Sequence, residues 1–288
     1  MLDKLLEKLG EEINDVDEET FHLFSQSLPS QDLGMLDAKT NLLELSIAGR
    51  HFDITQSPGL LQSQRGGGTT GAAVWQSTCR FAEWLASPDN VLWKSGLLNA
   101  DTTTLELGCG IAALVPALLN GKVRRVVSTD QAYVLKTFKE NLVTNGITNQ
   151  SSKGKPGQKH PSPSSQIDVF SLDWEKDDVR SVLRENWLDS GVHVLLACDC
   201  IYNYALIEPF VQACKDVCSL RTSKDQSLPP TVVVIVQQLR QPEVFEQWLT
   251  IFHRSFRTWR IPDGLLSSGL KDDSGFAVHV GLLRQLST

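Results

Sequence analysis

Three stretches of the chain carry residue types that could do chemistry. The first, Leu105-Glu-Leu-Gly108-Cys109-Gly110-Ile-Ala112, closes an apolar run with two glycines and enters a run of small residues. That order predicts a strand, a tight turn and the first turn of a helix. Glycine lets backbone approach a ligand closely, and a helix start offers unpaired N–H groups. The second is Asp130, at the end of the next apolar stretch, where an acid can hold ribose hydroxyls. Capping the following helix is its plainer role, and the two can coexist. The third is Asp199-Cys-Ile-Tyr202, directly after an apolar strand that ends in Cys198. Gly108-x-Gly110-x-x-Ala113 also satisfies a dinucleotide fingerprint, so spacing alone leaves a nicotinamide-dependent oxidoreductase open.

The elements that must position these residues alternate from Thr103 onward. Strands are expected at Thr104–Leu107, Arg125–Thr129, Ile167–Leu172, Val192–Cys198 and Val232–Val236, with helices at Ala112–Asn120, Ala132–Asn145, Asp178–Trp187, Tyr204–Leu220 and Glu243–Arg254. This is an α/β pattern, a Rossmann-like doubly wound sheet. Phe256–Ile261 and Phe276–Leu283 follow without a helix between them and predict a closing antiparallel pair, so the sheet is expected to have seven strands, mostly parallel. Ahead of this core, residues 41–56 alternate as a β-hairpin turned at Ala48-Gly49-Arg50. Residues 57–75 form a glycine-rich stretch around Gly66-Gly67-Gly68, read as a linker or as a loop closing over a ligand. Trp75 at its end would be an aromatic wall or a core residue. Residues 1–40 are an acidic extension, helical in part through Leu2, Leu5, Leu6 and Leu9 and otherwise loosely attached, before a single domain over residues 41–288. Residues 148–166, rich in Ser, Pro, Gly and Lys, read as a low-complexity insertion on the side away from the ligand, and a second polar loop is expected over residues 221–230. His193, inside a strand, reads as a hydrogen-bonded structural residue.

Taken together, Gly71-Ala-Ala-Val-Trp75, Leu105-Glu-Leu-Gly-Cys-Gly110, Thr129-Asp130, Asp173-Trp174 and Asp199-Cys-Ile-Tyr202 resemble the seven-strand S-adenosyl-L-methionine-dependent methyltransferases, and within them the protein-lysine methyltransferases with Asp-x-x-Tyr after the fourth strand. Gln56-Ser-Pro-x-Leu-Leu and Arg65-Gly-Gly-Gly-Thr-Thr-Gly71 are similar to the fungal ribosomal lysine methyltransferase 5 group. The closing antiparallel pair fits that sheet better than a dehydrogenase, whose second half continues the βα rhythm. The resemblance implies that Gly108, Cys109 and Gly110 line the methionine part of S-adenosyl-L-methionine, with Asp130 on the ribose. It further implies Trp174 at the adenine, Cys198 and Trp75 along the same pocket, and Asp199 and Tyr202 at the point of methyl transfer. Ala112 stands where the commonest glycine-rich pattern has a third glycine, and is small enough for helix packing. Asp199 is expected to orient the incoming amine and handle its proton; helix capping is its alternative role. A protein that keeps the fold as a silent adaptor is the third function class.

Composition narrows the partners. A net charge of −7, from 27 basic and 34 acidic residues, disfavours a nucleic-acid binder and suits a basic protein substrate, of which a large-subunit ribosomal protein is the expectation. Hydrophobic content of 41% with seven Trp supplies a sizeable core. The six cysteines fall in elements rather than in a loop framework, so reduced thiols are expected, ahead of a zinc site built on Cys198, Cys200, Cys214 and Cys218. No apolar run reaches the ~18–20 residues of a membrane helix, and the acid-bearing N-terminus fits neither a secretory nor a transit signal. The expectation is a monomer in the cytosol, with the nucleus as a second compartment.

Overall fold

The computed structural model describes residues 1–26, 34–59, 70–147, 165–224 and 228–285. Its centre is built by three strands rich in Val, Leu and Ile, two of which also bury polar side chains. β3 (Thr103–Leu107), β6 (Val194–Cys198) and β7 (Val232–Gln238) are buried at every position, as strands covered by helices on both faces must be. With β4 (Arg125–Asp130), β5 (Gln166–Ser171), β8 (Phe256–Arg260) and β9 (Phe276–Leu283) they form a seven-stranded sheet in the order β5-β4-β3-β6-β7-β9-β8. β3 to β7 run parallel, while β9 is antiparallel to both neighbours and wedges between β7 and β8. The chain winds outward from β3 through β4 to β5, then returns to start β6 on the other side of β3. Ligands of such sheets sit outside the carboxyl ends of the strands at that reversal.

Helices cover both faces. One core layer joins α1 (Leu2–Leu9), α3 (Gln76–Ala86), α4 (Val91–Lys94), α5 (Leu114–Leu119) and α6 (Ala132–Thr144) to the sheet. The other joins α2 (Val16–Phe24), α7 (Val179–Glu185), α8 (Tyr204–Lys224) and α9 (Pro242–Ser255). The hairpin of β1 (Leu42–Ile47) and β2 (Arg50–Thr55) turns on Ala48 and Gly49, both at positive φ, the two-residue geometry whose twist suits a hairpin. Its register is held from outside by buried Asn141 of α6. That side chain accepts from the Thr55 N–H at 2.9 Å and donates to the Thr55 and Ile111 carbonyls at 2.9 and 2.8 Å.

The structure revises three readings. The acidic lead-in is docked rather than loose over residues 1–26: Leu5, Leu9 and Leu23 are core residues, and the acids meet basic groups of the last two strands. Glu12 pairs with Arg257 and Arg284 at 2.7 and 3.0 Å, and Glu19 with Arg260 and buried His279 at 3.0 and 3.1 Å. α5 starts two residues later than expected, because Ala113 adopts the left-handed conformation (φ 56°). α8 runs on through Lys224 where a loop was expected from Arg221, whose buried guanidinium donates to the Pro229 carbonyl. The triple glycine at 66–68 lies outside the described residues, as do residues 148–164 of the insertion and 225–227 of the second polar loop. The insertion's last two residues belong to the body: Ser165 is buried against α5 and Gln166 opens β5. Among the described residues no helix is long and apolar enough to cross a membrane.

Candidate active site

Each parallel strand delivers its chemistry at its carboxyl end. β3 runs into Gly108 and Gly110 at φ 67° and 57°. Gly108 has no room for a side chain: a Cβ would fall 2.8 Å from Cys200 Sγ and 3.2 Å from the Trp174 ring. The turn is stitched to the end of β4, where the Cys109 N–H donates to the Thr129 carbonyl at 3.0 Å and the Gly110 N–H to Asp130 Oδ2 at 2.8 Å. Asp130 Oδ1 accepts from the Gln131 N–H at 2.7 Å, so its carboxylate serves the turn and the start of α6 together. Burial pushes the Asp130 carboxyl up to about 6 against those two hydrogen bonds. One strand back, buried Glu106 is raised further, to about 8, by burial, with Asp130 adding to the rise and a Ser128 hydrogen bond opposing it.

β6 delivers the second half of the site. Asp199 takes the left-handed conformation (φ 58°), and its N–H donates to the Val236 carbonyl at 2.7 Å. The Arg240 guanidinium grips its buried carboxylate with both terminal nitrogens, Nη1 donating to Oδ1 at 2.6 Å. Asp199 does not cap α8; Asn203 does, its Oδ1 accepting from the Ala205 N–H at 3.0 Å. The Tyr202 hydroxyl lies 2.9 Å from that of Thr70, so the tyrosine that follows β6 closes onto the end of the glycine-rich stretch. Trp75 precedes α3, donates from Nε1 to the Thr70 carbonyl at 2.9 Å, and stands 5.7 Å below the Arg240 guanidinium.

These pieces enclose a cavity of about 480 Å³, within the usual range for small-molecule sites. The structure brings Trp75, Gly108, Cys109, Gly110, Asp130, Trp174, Cys198, Asp199 and Tyr202 together on its wall. Arg240, Gln237 and Met35 line it too and escaped sequence reasoning. The signal for the first two was topological, since both follow the buried core of a central strand at its carboxyl end. Met35 had none: it forms a bridge with Trp75, supported by the Leu36 N–H on the Val74 carbonyl at 2.9 Å. His193 is structural as expected, its Nδ1 accepting from the Thr103 N–H at 3.0 Å, with burial foremost in lowering it to about 4. The thiols of Cys109, Cys198 and Cys200 are pushed far up by burial and stay protonated. Among the described residues no three His, Cys, Asp or Glu side chains converge as a metal site.

The half of the cavity under β3, β4 and β5 fits a nucleoside carrying an amino-acid tail. Gly108 keeps the floor clear, Asp130 presents an acceptor, and Trp174 offers a ring whose Nε1 is buried without a protein partner. The sequence profile of a family described as lysine methyltransferase matches residues 54–241. The chain belongs to the lysine methyltransferase family. Its fold is the Rossmann-like sheet of that class, and the methyl donor of the class is S-adenosyl-L-methionine. Two ribosomal lysine N-methyltransferases 5 are similar to it. The one from Candida glabrata is 26% identical over 76% of this chain and 82% of its own length, and the one from Zygosaccharomyces rouxii is 30% identical over 56% and 58%. A Schizosaccharomyces pombe protein named diaminohydroxyphosphoribosylamino-pyrimidine deaminase is 29% identical over 84% of this chain, which spans 52% of that protein's length. Family membership decides the glycine turn in favour of methyl transfer over the nicotinamide reading.

Proposed function

We propose that this lysine methyltransferase modifies a lysine of a ribosomal protein. The observation that carries the reading is the division of one cavity at the chain reversal, with a nucleoside-shaped half under β3 to β5 and a charged, aromatic half under β6 and β7. The names of the relatives and the acidic balance of the chain, which suits a basic partner, support the ribosomal substrate. S-adenosyl-L-methionine, when bound, supplies an electrophilic methyl group whose bond to sulfur breaks as a bond to the amine nitrogen forms. Gly108, Cys109 and Gly110 hold its amino-acid end, Asp130 accepts from the ribose, and Trp174 covers the base.

A lysine ammonium, with a pKa near ~10.4, has no lone pair for the attack and must first lose a proton. Asp199 orients the incoming group through the carboxylate lone pairs that Arg240 leaves open. The Arg240 guanidinium is a like charge for an ammonium and favours the neutral amine. Trp75 and Tyr202 narrow the approach and keep water from the line of transfer. The six thiols are unpaired with one another, which suits a reducing compartment, cytosol or nucleus.

Incubation with methyl-labelled cofactor and ribosomal subunits from cells lacking the enzyme should label a lysine of one ribosomal protein, read by peptide mass spectrometry. Label confined to non-ribosomal proteins would overturn the substrate assignment.

A further inference from the structure

Two aromatic walls of the cavity hang on one residue. The Tyr202 hydroxyl lies 2.9 Å from that of Thr70, and Trp75 Nε1 donates to the Thr70 carbonyl at 2.9 Å. Thr70 is half-buried, lines the cavity itself and opens a single 3-10 turn, Thr70–Ala72. Tyr202 follows β6 while Trp75 precedes α3, so no shared element fixes one ring against the other. Tyr202 is 37% exposed, so packing alone leaves its ring room to turn, and the hydroxyl pair supplies the missing constraint.

The turn that carries Thr70 is fixed on its other side by the donor half. Gly71 has no room for a side chain: a Cβ would fall 2.7 Å from Val134 Cγ2 and 3.7 Å from Asp130 Oδ1. Its carbonyl oxygen lies against the glycine turn, 3.7 Å from where a Cβ of Gly110 would stand. Behind it the Ser57 N–H donates to the Ala72 carbonyl at 2.9 Å, and the Val74 N–H to Gln56 Oε1 at 3.0 Å. Gly71 therefore packs on the residues assigned to the methyl donor, and Thr70, one position back, holds the rings that narrow the acceptor's approach. Displacement at the methyl carbon needs amine, carbon and sulfur in line, and a misplacement of about 1 Å can cost a hundredfold in rate. A dipeptide in contact with both halves is placed to set that alignment.

We propose that Thr70 is a positioning residue for methyl transfer, its hydroxyl holding the Tyr202 ring so that the lysine side chain enters in line with the methyl donor. Thr70 acts through Tyr202 rather than on the reacting atoms. The inference rests on the lysine-methyltransferase reading of the site. It is tested with full-length protein and the protein substrate found by labelling. Thr70→Val keeps the shape of the side chain and the carbonyl that Trp75 uses, and removes only the hydroxyl. It should slow methyl transfer in single turnover about tenfold, with KM for the substrate within about threefold and the calorimetric Kd for S-adenosylhomocysteine within about twofold of the wild type. Thr70→Ser restores the hydroxyl and should bring the rate back to within about twofold. Tyr202→Phe should slow transfer as Thr70→Val does, and the two together no further, since both remove the same bond. An unchanged rate in Thr70→Val, an equal loss in Thr70→Ser, a weakened Kd for S-adenosylhomocysteine, or losses that multiply in the double variant would overturn the role of Thr70 while wild-type lysine methylation still stands. Label from the wild type on a residue other than lysine would overturn the functional reading and this inference together.

Discussion

Asp199 and Arg240 persist as charges at the bottom of the cavity because each satisfies the other. The carboxylate side chain is 4% exposed and the guanidinium 16%, so removing either strands a buried charge. Breaking such a pair costs about 3–5 kcal/mol, whereas removing both groups leaves nothing unpaired. Arg240→Met should therefore destabilise by about 3 kcal/mol in urea unfolding, and adding Asp199→Leu should restore part of the loss, giving a coupling of at least ~1 kcal/mol in the double-mutant cycle. Strictly additive losses would mean that the pair carries no net interaction. The Asp was legible in the sequence because it sits in a recognisable string after a buried strand. The Arg was not, since it stands in no motif, and its partner is brought to it only by the pairing of β6 with β7.

At the scale of elements, Asn141 of α6 ties together two pieces that are distant in the chain. It takes both backbone groups of Thr55 and the carbonyl of Ile111, so the hairpin and the glycine-rich turn share one clamp. Asn141→Ala leaves those backbone groups without that partner and should cost about 3 kcal/mol of stability by urea unfolding. It should also weaken S-adenosylhomocysteine binding by calorimetry, because Ile111 follows directly on Gly110; intact affinity would show that the turn stands without the clamp. The elements themselves were readable from periodicity, since strands buried on both faces and helices with one apolar stripe differ in period. Where the helix after the turn begins was not readable, because the left-handed Ala113 carries no compositional mark. The docking of the acidic lead-in escaped for another reason: Arg257, Arg260, His279 and Arg284 lie at the other end of the chain.

The whole molecule combines two opposite pH dependences. Glu106 is raised to about 8 and Asp130 to about 6, each chiefly by burial. Their contribution is complete below the ordinary carboxylate pKa and is lost as pH rises through those raised values. Burial also pushes Glu19 and Asp272 upward, but it is outweighed. Hydrogen bonds and charges from His279, Arg260 and His22 bring Glu19 below its ordinary value, and those of Arg260 and His22 do the same for Asp272. Their contribution is present above that ordinary value and is lost as pH falls through the lowered one. Thermal stability should therefore peak at about pH 4, near the ordinary carboxylate value, and decline both in stronger acid and toward pH 8, with the alkaline decline flattened in Glu106→Gln. A melting temperature that climbs steadily from pH 5 to pH 8 would contradict this assignment.

The wedged strand β9 and the docked amino-terminal helices also set a schedule. The ribosome releases Glu19 long before His279, 260 residues later, so at roughly 5–20 residues per second the first helices wait for much of a minute before their partners emerge. During that interval the newborn chain has its glycine turn and Asp130 in hand but neither β9 nor the edge that seats its opening segment. Its later-made strands are thus what let its earlier-made helices settle.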